Sequence, residues 1–260
     1  MRNIAIPFCI SLVIVLASFN TTGIRTNKIQ RIVIDPGHGG KDPGTHGMIS
    51  KEKDIALSIA LELGRIINDN LPDVEVLYTR KDDSFPELHW RADWANEKAA
   101  DLFISVHANW VSNPKVYGTE TYVMGVQNID RNFEVAKREN SVILLEDDYE
   151  VNYEGFDPEA PESYILFSLT QSSFHERSIL LADKIENQFR TKVGRKSRGV
   201  KQSSLYLLWS TAMPSVLVEV GYLSNAKEEK ELNDKLNQVY IASGIFRAFR
   251  DYKKEIESLN

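Results

Sequence analysis

The 260-residue chain contains one cysteine, Cys9, and it lies in an apolar stretch at the N-terminus. Loss of that stretch would leave no thiol, which excludes disulfides and cysteine-based catalysis. A chain without cysteine is typical of an exported protein, because a lone thiol is a liability in an oxidising compartment. Residues 1–20 combine a positive charge at Arg2 with an apolar core at Ile4–Val15 and small residues near the end. They are predicted to be a signal peptide, outside the fold.

The chain also lacks a long hydrophobic run. The N-terminal apolar core contains Pro7 and is shorter than the roughly 20 residues that span a bilayer, so no stable membrane anchor is expected after signal cleavage. The expected location is periplasmic or cell-wall associated. A net charge of −6 and the absence of a basic stripe argue against nucleic-acid binding.

No internal repeat or low-complexity linker divides the rest of the chain, and its length suits one domain over residues 29–256. Strand and helix patterns alternate along it, which predicts an α/β fold with a mostly parallel sheet and helices on both faces. The predicted strands cover 29–35, 74–79, 101–107, 117–123 and 215–220, and the predicted helices cover 52–69, 87–99, 128–145, 175–192 and 226–256.

Two histidines follow predicted strands directly. The segment IVIDPGHGG carries an apolar strand into a glycine-flanked turn at His38, and DLFISVHAN carries another to His107. Each residue alone has an ordinary explanation, as a turn residue or a satisfied core histidine. Two strands that both end at a histidine favour a paired role as metal ligands at the carboxyl edge of the sheet.

Two carboxylates complete the predicted set. Glu52 falls in the first turn of a predicted helix, where an acidic residue is also expected from the helix dipole alone. Glu219 lies in the apolar segment PSVLVEVGYLSN, where a buried carboxylate needs a partner such as arginine, a metal or a metal-bound water. Two histidines and one carboxylate are a common catalytic zinc set, which would leave Glu219 as general base for amide hydrolysis.

Ordered segments along the chain include DPGHGGKDPGTHG, KEKDIAL, LYTRKDD, RADWANEKAADLFISVHAN and VLVEVGYLSN. From about Ile29 to Tyr252 the chain resembles the zinc-dependent N-acetylmuramoyl-L-alanine amidases of bacterial cell walls, the amidase_3 type. The resemblance implies a twisted sheet of about six strands and one Zn²⁺ bound by His38, Glu52 and His107, with Glu219 as catalytic acid and base. The implied reaction cuts the amide bond between N-acetylmuramic acid and L-alanine in peptidoglycan, for cell-wall remodelling or daughter-cell separation.

Residues 146–162 contain eight acidic residues and no basic one. One interpretation is a solvated acidic loop. The other follows division-associated members of the resembled family, in which an inserted helix occludes the zinc with a carboxylate until an activator protein moves it. By that analogy residues 144–174 are predicted to be an autoinhibitory insertion, with Glu146 as first candidate for the blocking residue and Glu150 and Glu154 left open.

Three further residues, His46, Arg80 and Arg91, are candidates for binding the substrate. The two arginines have an alternative role in structural ion pairs, which the sequence does not separate from substrate binding. Two other functions also stay open. One is a different zinc peptidase acting on stem peptides, and the other is a catalytically silent wall-binding module, whose mark would be loss of Glu219 or a ligand.

Overall fold

The computed structural model describes residues 28–125, 129–164, 167 and 173–259. The predicted signal peptide, residues 1–20, lies outside this range. Within the described part, no helix is both long and apolar enough to cross a membrane.

A single six-stranded sheet forms the centre of the fold. Its strands are β1 (Arg31–Pro36), β2 (Glu75–Tyr78), β3 (Leu102–Asn109), β4 (Thr119–Met124), β5 (Ser197–Ser203) and β6 (Ser215–Tyr222). They lie in the order β2-β1-β3-β6-β4-β5. Every neighbouring pair is parallel except β4 and β6, which are antiparallel. The predicted mostly parallel α/β sheet is confirmed.

Helices cover both faces of this sheet. They are α1 (Glu52–Asn70), α2 (Leu88–Glu97), α3 (Ile129–Asn140), α4 (Tyr149–Asn152), α5 (His175–Gln188), α6 (Tyr206–Trp209), α7 (Ala226–Asn233) and α8 (Lys235–Glu257). One core contains apolar residues of α1, α5 and α8 together with alternate residues of β1, β3 and β6. The second core contains residues of α2, α3 and α6 and the aromatic side chains of the segment that follows α3.

Besides the short helices α4 and α6, which were not predicted, two longer elements differ from the prediction. Strand β5 was not predicted, because its sequence SRGVKQS has only one apolar residue, Val200, and lacks the alternation that marks a half-buried strand. The helix predicted over 226–256 is two helices that meet at Asp234. That residue has extended backbone angles, and its side chain accepts a hydrogen bond from the Asn237 N–H, so it begins α8 as an N-cap.

The strand pairing brings the predicted site residues to one edge. Pro36 at the end of β1 pairs with Val106, and His107 pairs with Glu219 across β3 and β6. The turn after β1 passes so close to β3 that a Cβ atom on Gly37 would lie 2.4 Å from the His107 ring. Only glycine permits this approach, and it places His38 directly beside His107.

A buried ion pair supports the turn that carries His38. The Asp35 carboxylate is fully buried and accepts hydrogen bonds from the Arg91 Nη1 at 2.8 Å, the Ser105 hydroxyl at 2.6 Å and the Thr79 hydroxyl at 2.5 Å. Burial by itself raises the pKa of Asp35, but the Arg91 charge and the two hydroxyls hold it below the ordinary value.

Asp35→Asn is therefore expected to lower the free energy of unfolding by about 3–5 kcal/mol, because it leaves a buried guanidinium without its counter-charge. Since the native pKa is lowered, the carboxylate stabilises the fold above the ordinary aspartate pKa, and that stability is lost as the pH falls through the native value. The difference in the free energy of unfolding between wild type and variant should therefore become smaller at acid pH. Urea unfolding at several pH values measures it. Asp93→Asn, an exposed change on α2, is the control, and an equal effect of both changes would contradict the prediction.

Candidate active site

Four buried side chains converge at the carboxyl edge of the sheet. His38, Glu52, His107 and Glu139 each offer one ligand atom, and these atoms all lie within 4.8 Å of one another. The Glu52 Oε1 is 3.1 Å from the His38 Nε2 and 3.0 Å from the His107 Nδ1. The Glu139 Oε2 is 3.0 Å from the same His107 nitrogen and 3.5 Å from the same His38 nitrogen.

This arrangement fits a metal ion. Ligand atoms about 2.0–2.1 Å from a tetrahedral zinc ion lie roughly 3.4 Å apart, close to the spacing between these atoms. The His38 Nε2 and the Glu139 Oε2 are buried and have no hydrogen-bond partner among the described residues. Buried polar atoms without partners are uncommon, and a cation between them would satisfy both. Imidazole and carboxylate donors also suit zinc.

Neighbouring groups orient the ligands. The Asp42 Oδ2 lies 2.6 Å from the His38 Nδ1, which directs the opposite nitrogen of that ring into the cluster. The Glu52 carboxylate accepts the Thr45 N–H at 2.8 Å on one oxygen and the Ala108 N–H at 2.9 Å on the other. Each contact fixes a ligand at the position a metal would require.

Arg80 and Arg91 are 3% and 2% exposed, so the structure places both beneath the site and away from solvent. Arg91 donates to the His38 carbonyl at 2.8 Å, and Arg80 donates to the Gly37 carbonyl at 2.7 Å. His38 has a φ of 61°, in the left-handed region that non-glycine residues seldom adopt. The two arginines hold this strained turn by its carbonyl groups, which is a structural role, and a contact with substrate stays a prediction.

The charges of the cluster are strongly coupled. Burial alone would lower the pKa of His38, but the Glu52 charge and the Asp42 hydrogen bond raise it well above its ordinary value. Burial likewise opposes the protonation of His107, yet Glu139 and Glu52 raise its pKa to about 9. Burial would raise the pKa of Glu52, and the two histidines hold it well below the usual range. The site therefore attracts positive charge.

Glu219 lies beside this cluster and is fully buried on β6. Its Oε1 is 3.3 Å from the Arg138 Nη2, and its Oε2 has no hydrogen-bond partner among the described residues. Burial and then the Glu139 charge raise the pKa of Glu219 well above the ordinary value, although Arg138 partly offsets them. A carboxyl group with a raised pKa is suited to accept and return a proton near neutral pH.

Helix α3 brings Arg138 and Glu139 to the site. The Arg138 guanidinium donates to Glu139 at 2.9 Å and to the Asn109 Oδ1 at 3.1 Å, in addition to its contact with Glu219. Sequence reasoning missed both residues, although it predicted a helix over 128–145. The segment IDRNFEVAKREN is highly polar, and nothing in it marks one glutamate as buried.

Glu146 does not belong to the four-residue cluster, so its assignment as first candidate for the blocking residue needs correction. The turn Ser141–Leu145 leads the chain away from this cluster after α3. The Glu146 Oε1 instead accepts the Leu88 N–H at 2.6 Å, and its Oε2 accepts the Tyr153 hydroxyl at 2.5 Å. Tyr153 in turn accepts the His89 N–H at 2.9 Å. These contacts cap the first turn of α2.

The other candidates lie at the surface. Glu150 and Glu154 are exposed. His46 is also exposed, and its backbone forms an isolated bridge with Lys51 in the loop before α1. Since the neighbouring Thr45 N–H contacts Glu52, the loop of His46 borders the ligand cluster. A substrate contact for His46 stays a prediction.

Comparison with known proteins agrees with the site. Residues 32–251 match the family model Amidase_3, described as N-acetylmuramoyl-L-alanine amidase. The chain is 30% identical over 225 residues to the N-acetylmuramoyl-L-alanine amidase AmiA of Escherichia coli strain K12, which covers 85% of this chain and 75% of that protein.

Solved structures show the same likeness. An N-acetylmuramoyl-L-alanine amidase from Clostridium difficile 630 aligns with a TM-score of 0.64 at 25% identity, covering 86% of this chain and 97% of that chain. The CwlD amidase from Clostridioides difficile, solved in complex with the GerS lipoprotein, aligns with a TM-score of 0.64 at 27% identity and covers 87% and 99% of the two chains.

Proposed function

Because the chain belongs to the Amidase_3 family of N-acetylmuramoyl-L-alanine amidases, and is thus an amidase that acts on peptidoglycan, we propose that it depends on one zinc ion. It cuts the amide bond between N-acetylmuramic acid and the L-alanine of the stem peptide. The observation that carries this proposal is the convergence of His38, Glu52 and His107 beside the buried Glu219.

Each residue of the site has its own role in the proposed reaction. His38, Glu52 and His107 would hold the zinc ion, which when bound polarises the amide carbonyl and makes water more acidic. Glu219 accepts a proton from the attacking water at its unpartnered Oε2. It then returns that proton to the amine of L-alanine as the amide bond breaks. Asp42 keeps the His38 ring in the required orientation.

The structure also supports an autoinhibited state. Glu139 contacts both histidines, so in the metal-bound protein its carboxylate would compete with water or substrate for the ion. Arg138, on the same helix, pairs with the catalytic Glu219. Helix α3 therefore has to leave before the reaction can occur. Since Glu139 precedes residues 144–174, the inhibitory segment of this proposal begins earlier, with α3.

A partner that moves α3 would act as an activator protein. The related CwlD amidase was solved in complex with the GerS lipoprotein, which is consistent with regulation of this fold by a second protein. We assign the enzyme to cell-wall remodelling or daughter-cell separation after export. That assignment agrees with the predicted signal peptide and with an amidase acting on peptidoglycan.

Removal of the metal should abolish the reaction. Purified peptidoglycan is digested with the protein lacking residues 1–20 and, in parallel, with a Glu139→Ala variant of it, and the products are identified by mass spectrometry. Free peptides that begin at L-alanine should appear with the variant, disappear after chelation and return with Zn²⁺. Chelation should also lower the melting temperature, because a metal that binds only the native state stabilises it.

Other products would point to the other functions. Release of single amino acids from the C-terminus of the stem peptide would indicate a zinc carboxypeptidase. If neither protein releases a peptide while both bind peptidoglycan, the chain is a wall-binding module. Full activity in the presence of the chelator, with no zinc in the protein, would contradict metal dependence.

A further inference from the structure

A second cleft, with a volume of about 530 Å³, is lined by the loops that follow the strands of His107 and Glu219. It lies where the loops after β3 and β6 meet the turn before β5, and Lys115, Lys196 and Lys227 are among its lining residues. We propose that this cleft binds the carboxylates of an acidic peptide, the stem peptide of the substrate. The inference rests on the proposed function, because it extends the same substrate away from the bond that is cut.

The lining of the cleft carries more positive than negative charge, because Lys115, Arg195, Lys196 and Lys227 outnumber Glu228 and Glu231, although Lys227 lies 3.8 Å from Glu231. Residues 190–201 contain six basic residues and no acidic one, although the whole chain has a net charge of −6. Residues 190–201 are thus a short basic stripe, which was not expected from the sequence. Lys115, Lys196 and Lys227 are exposed at the cleft, where their ammonium groups can attract an anionic ligand and raise its rate of association.

The floor of the cleft is buried and ordered by specific contacts. The Arg195 side chain is only 8% exposed, and its Nη2 donates to the Glu228 Oε1 at 2.6 Å. The other oxygen of Glu228 accepts the Gly118 and Tyr222 N–H groups at 3.0 and 2.8 Å. The Arg195 Nε is buried without a hydrogen-bond partner among the described residues. The three lysines thus border a fixed arginine.

This floor is joined to the catalytic centre by direct contacts. A Cβ atom on Gly221, two residues after Glu219, would lie 2.6 Å from the Arg195 Nη2, so the strand that carries the catalytic carboxylate passes against the floor. Arg198 donates to Glu120 at 2.9 Å, and Glu120 pairs with Glu219 across β4 and β6. Glu219 and the contact with the floor at Gly221 thus lie two residues apart on β6, and the proposal extends a bound peptide from one to the other.

The ligand expected in the cleft follows from the chemistry of the substrate. Beyond L-alanine, a stem peptide carries free carboxylates and contains no sugar. Exposed lysines gain little from an uncharged glycan, whereas each can pair with a carboxylate. The cleft is therefore assigned to the peptide part of the substrate.

The test uses the full mature protein loaded with zinc and the labelled tripeptide L-Ala-γ-D-Glu-meso-diaminopimelate, a product that cannot react further. Fluorescence anisotropy gives its Kd at several salt concentrations. The variant Lys196→Glu/Lys227→Glu should raise this Kd roughly tenfold and weaken its dependence on salt, as expected for two reversed surface charge pairs. The control Lys28→Glu/Lys98→Glu changes charge equally near the opposite end of β1 and should leave the Kd within about twofold. Each protein is also measured in a Glu139→Ala background.

Kinetics on peptidoglycan give a second readout: in the Glu139→Ala background the cleft variant should raise KM and leave kcat unchanged. The proposal is overturned if both double variants bind the tripeptide equally. It is also overturned if the tripeptide with amidated carboxyl groups binds as tightly as the acid, or if only poly(glycerol phosphate) binds through these lysines. If no variant hydrolyses peptidoglycan but tripeptide binding still depends on Lys196 and Lys227, the proposed reaction is contradicted, and the proposed binding of the peptide in the cleft is supported.

Discussion

Glu219→Gln should lower kcat for peptidoglycan hydrolysis by about 10²–10⁴-fold, the contribution typical of a positioned general acid and base. The amide retains the size of the carboxyl group but cannot accept a proton from water or return one to the amine of L-alanine. Because Glu219 is not among the four residues of the ligand cluster, zinc content should not change. The loss should therefore appear in kcat and not in metal binding.

The measurement compares release of L-alanine-terminated peptides by Glu139→Ala and by the double variant Glu139→Ala/Glu219→Gln, with zinc content and melting temperature measured for both. The Glu139→Ala background is used because, in the proposed autoinhibited state, Glu139 closes the wild-type site. A double variant that stays within about tenfold of its parent would remove Glu219 from the proton transfers. Loss of zinc together with activity would instead indicate that Glu219 supports the ligands.

Glu139→Ala alone should raise basal hydrolysis by about 10- to 100-fold. Its Oε2 lies 3.0 Å from the His107 Nδ1, the contact that joins α3 to the ligand cluster, and a contact of this kind between charged groups contributes about 1.5–3 kcal/mol. Loss of one such contact shifts the balance between closed and open states by one to two powers of ten. Arg138 would also lose a partner that holds it near Glu219, which frees the catalytic carboxylate.

The matched control is Glu134→Ala, which removes an exposed glutamate from the same helix. It changes charge and helix composition equally but leaves the ligand cluster intact, so its activity should equal that of the wild type. Activity and bound zinc are measured together. If Glu139→Ala loses zinc and gains no activity, Glu139 is a permanent fourth ligand, and the inhibitory role is wrong.

The parts of the site that sequence could predict depend on local pattern. His38 and His107 each end an apolar strand, and parallel neighbouring strands end at the same edge of a sheet, so their proximity follows from the strand order. Glu52 begins α1 at the end of the loop that follows the His38 turn. The structure brings these three residues together, with Glu219 opposite His107.

The remaining parts depend on contacts between distant segments. Glu139 lies in a polar helix, and only the docking of α3 over the strand ends makes it a neighbour of the ligands. Glu146 belongs to an acidic stretch that resembles a solvated loop, but its hydrogen bond to Leu88 joins residues 58 positions apart. The edge strand β5 lacks apolar alternation because its side chains are only partly buried.

The segment that follows β4 contacts the site in two places. Its first helix places Glu139 against His38 and His107, whereas Glu146 and Tyr153 satisfy the first N–H groups of α2, which its own N-cap residue leaves uncapped. Loss of a helix cap costs about 1 kcal/mol. Helix α2 also carries Arg91, which holds the His38 carbonyl.

Asn140 lies between these two regions and is itself fixed, since it donates to the Ser204 carbonyl and accepts the Tyr206 N–H. In the proposed mechanism, opening can therefore consist of a rotation of α3 about Asn140 while Glu146 and Tyr153 stay in place. Under the same proposal, shortening the segment releases the inhibition and weakens the turn of His38 at the same time. A descendant of this enzyme that loses the segment would thus combine higher activity with lower stability of the fold. Only changes confined to α3 would raise the activity without lowering the stability.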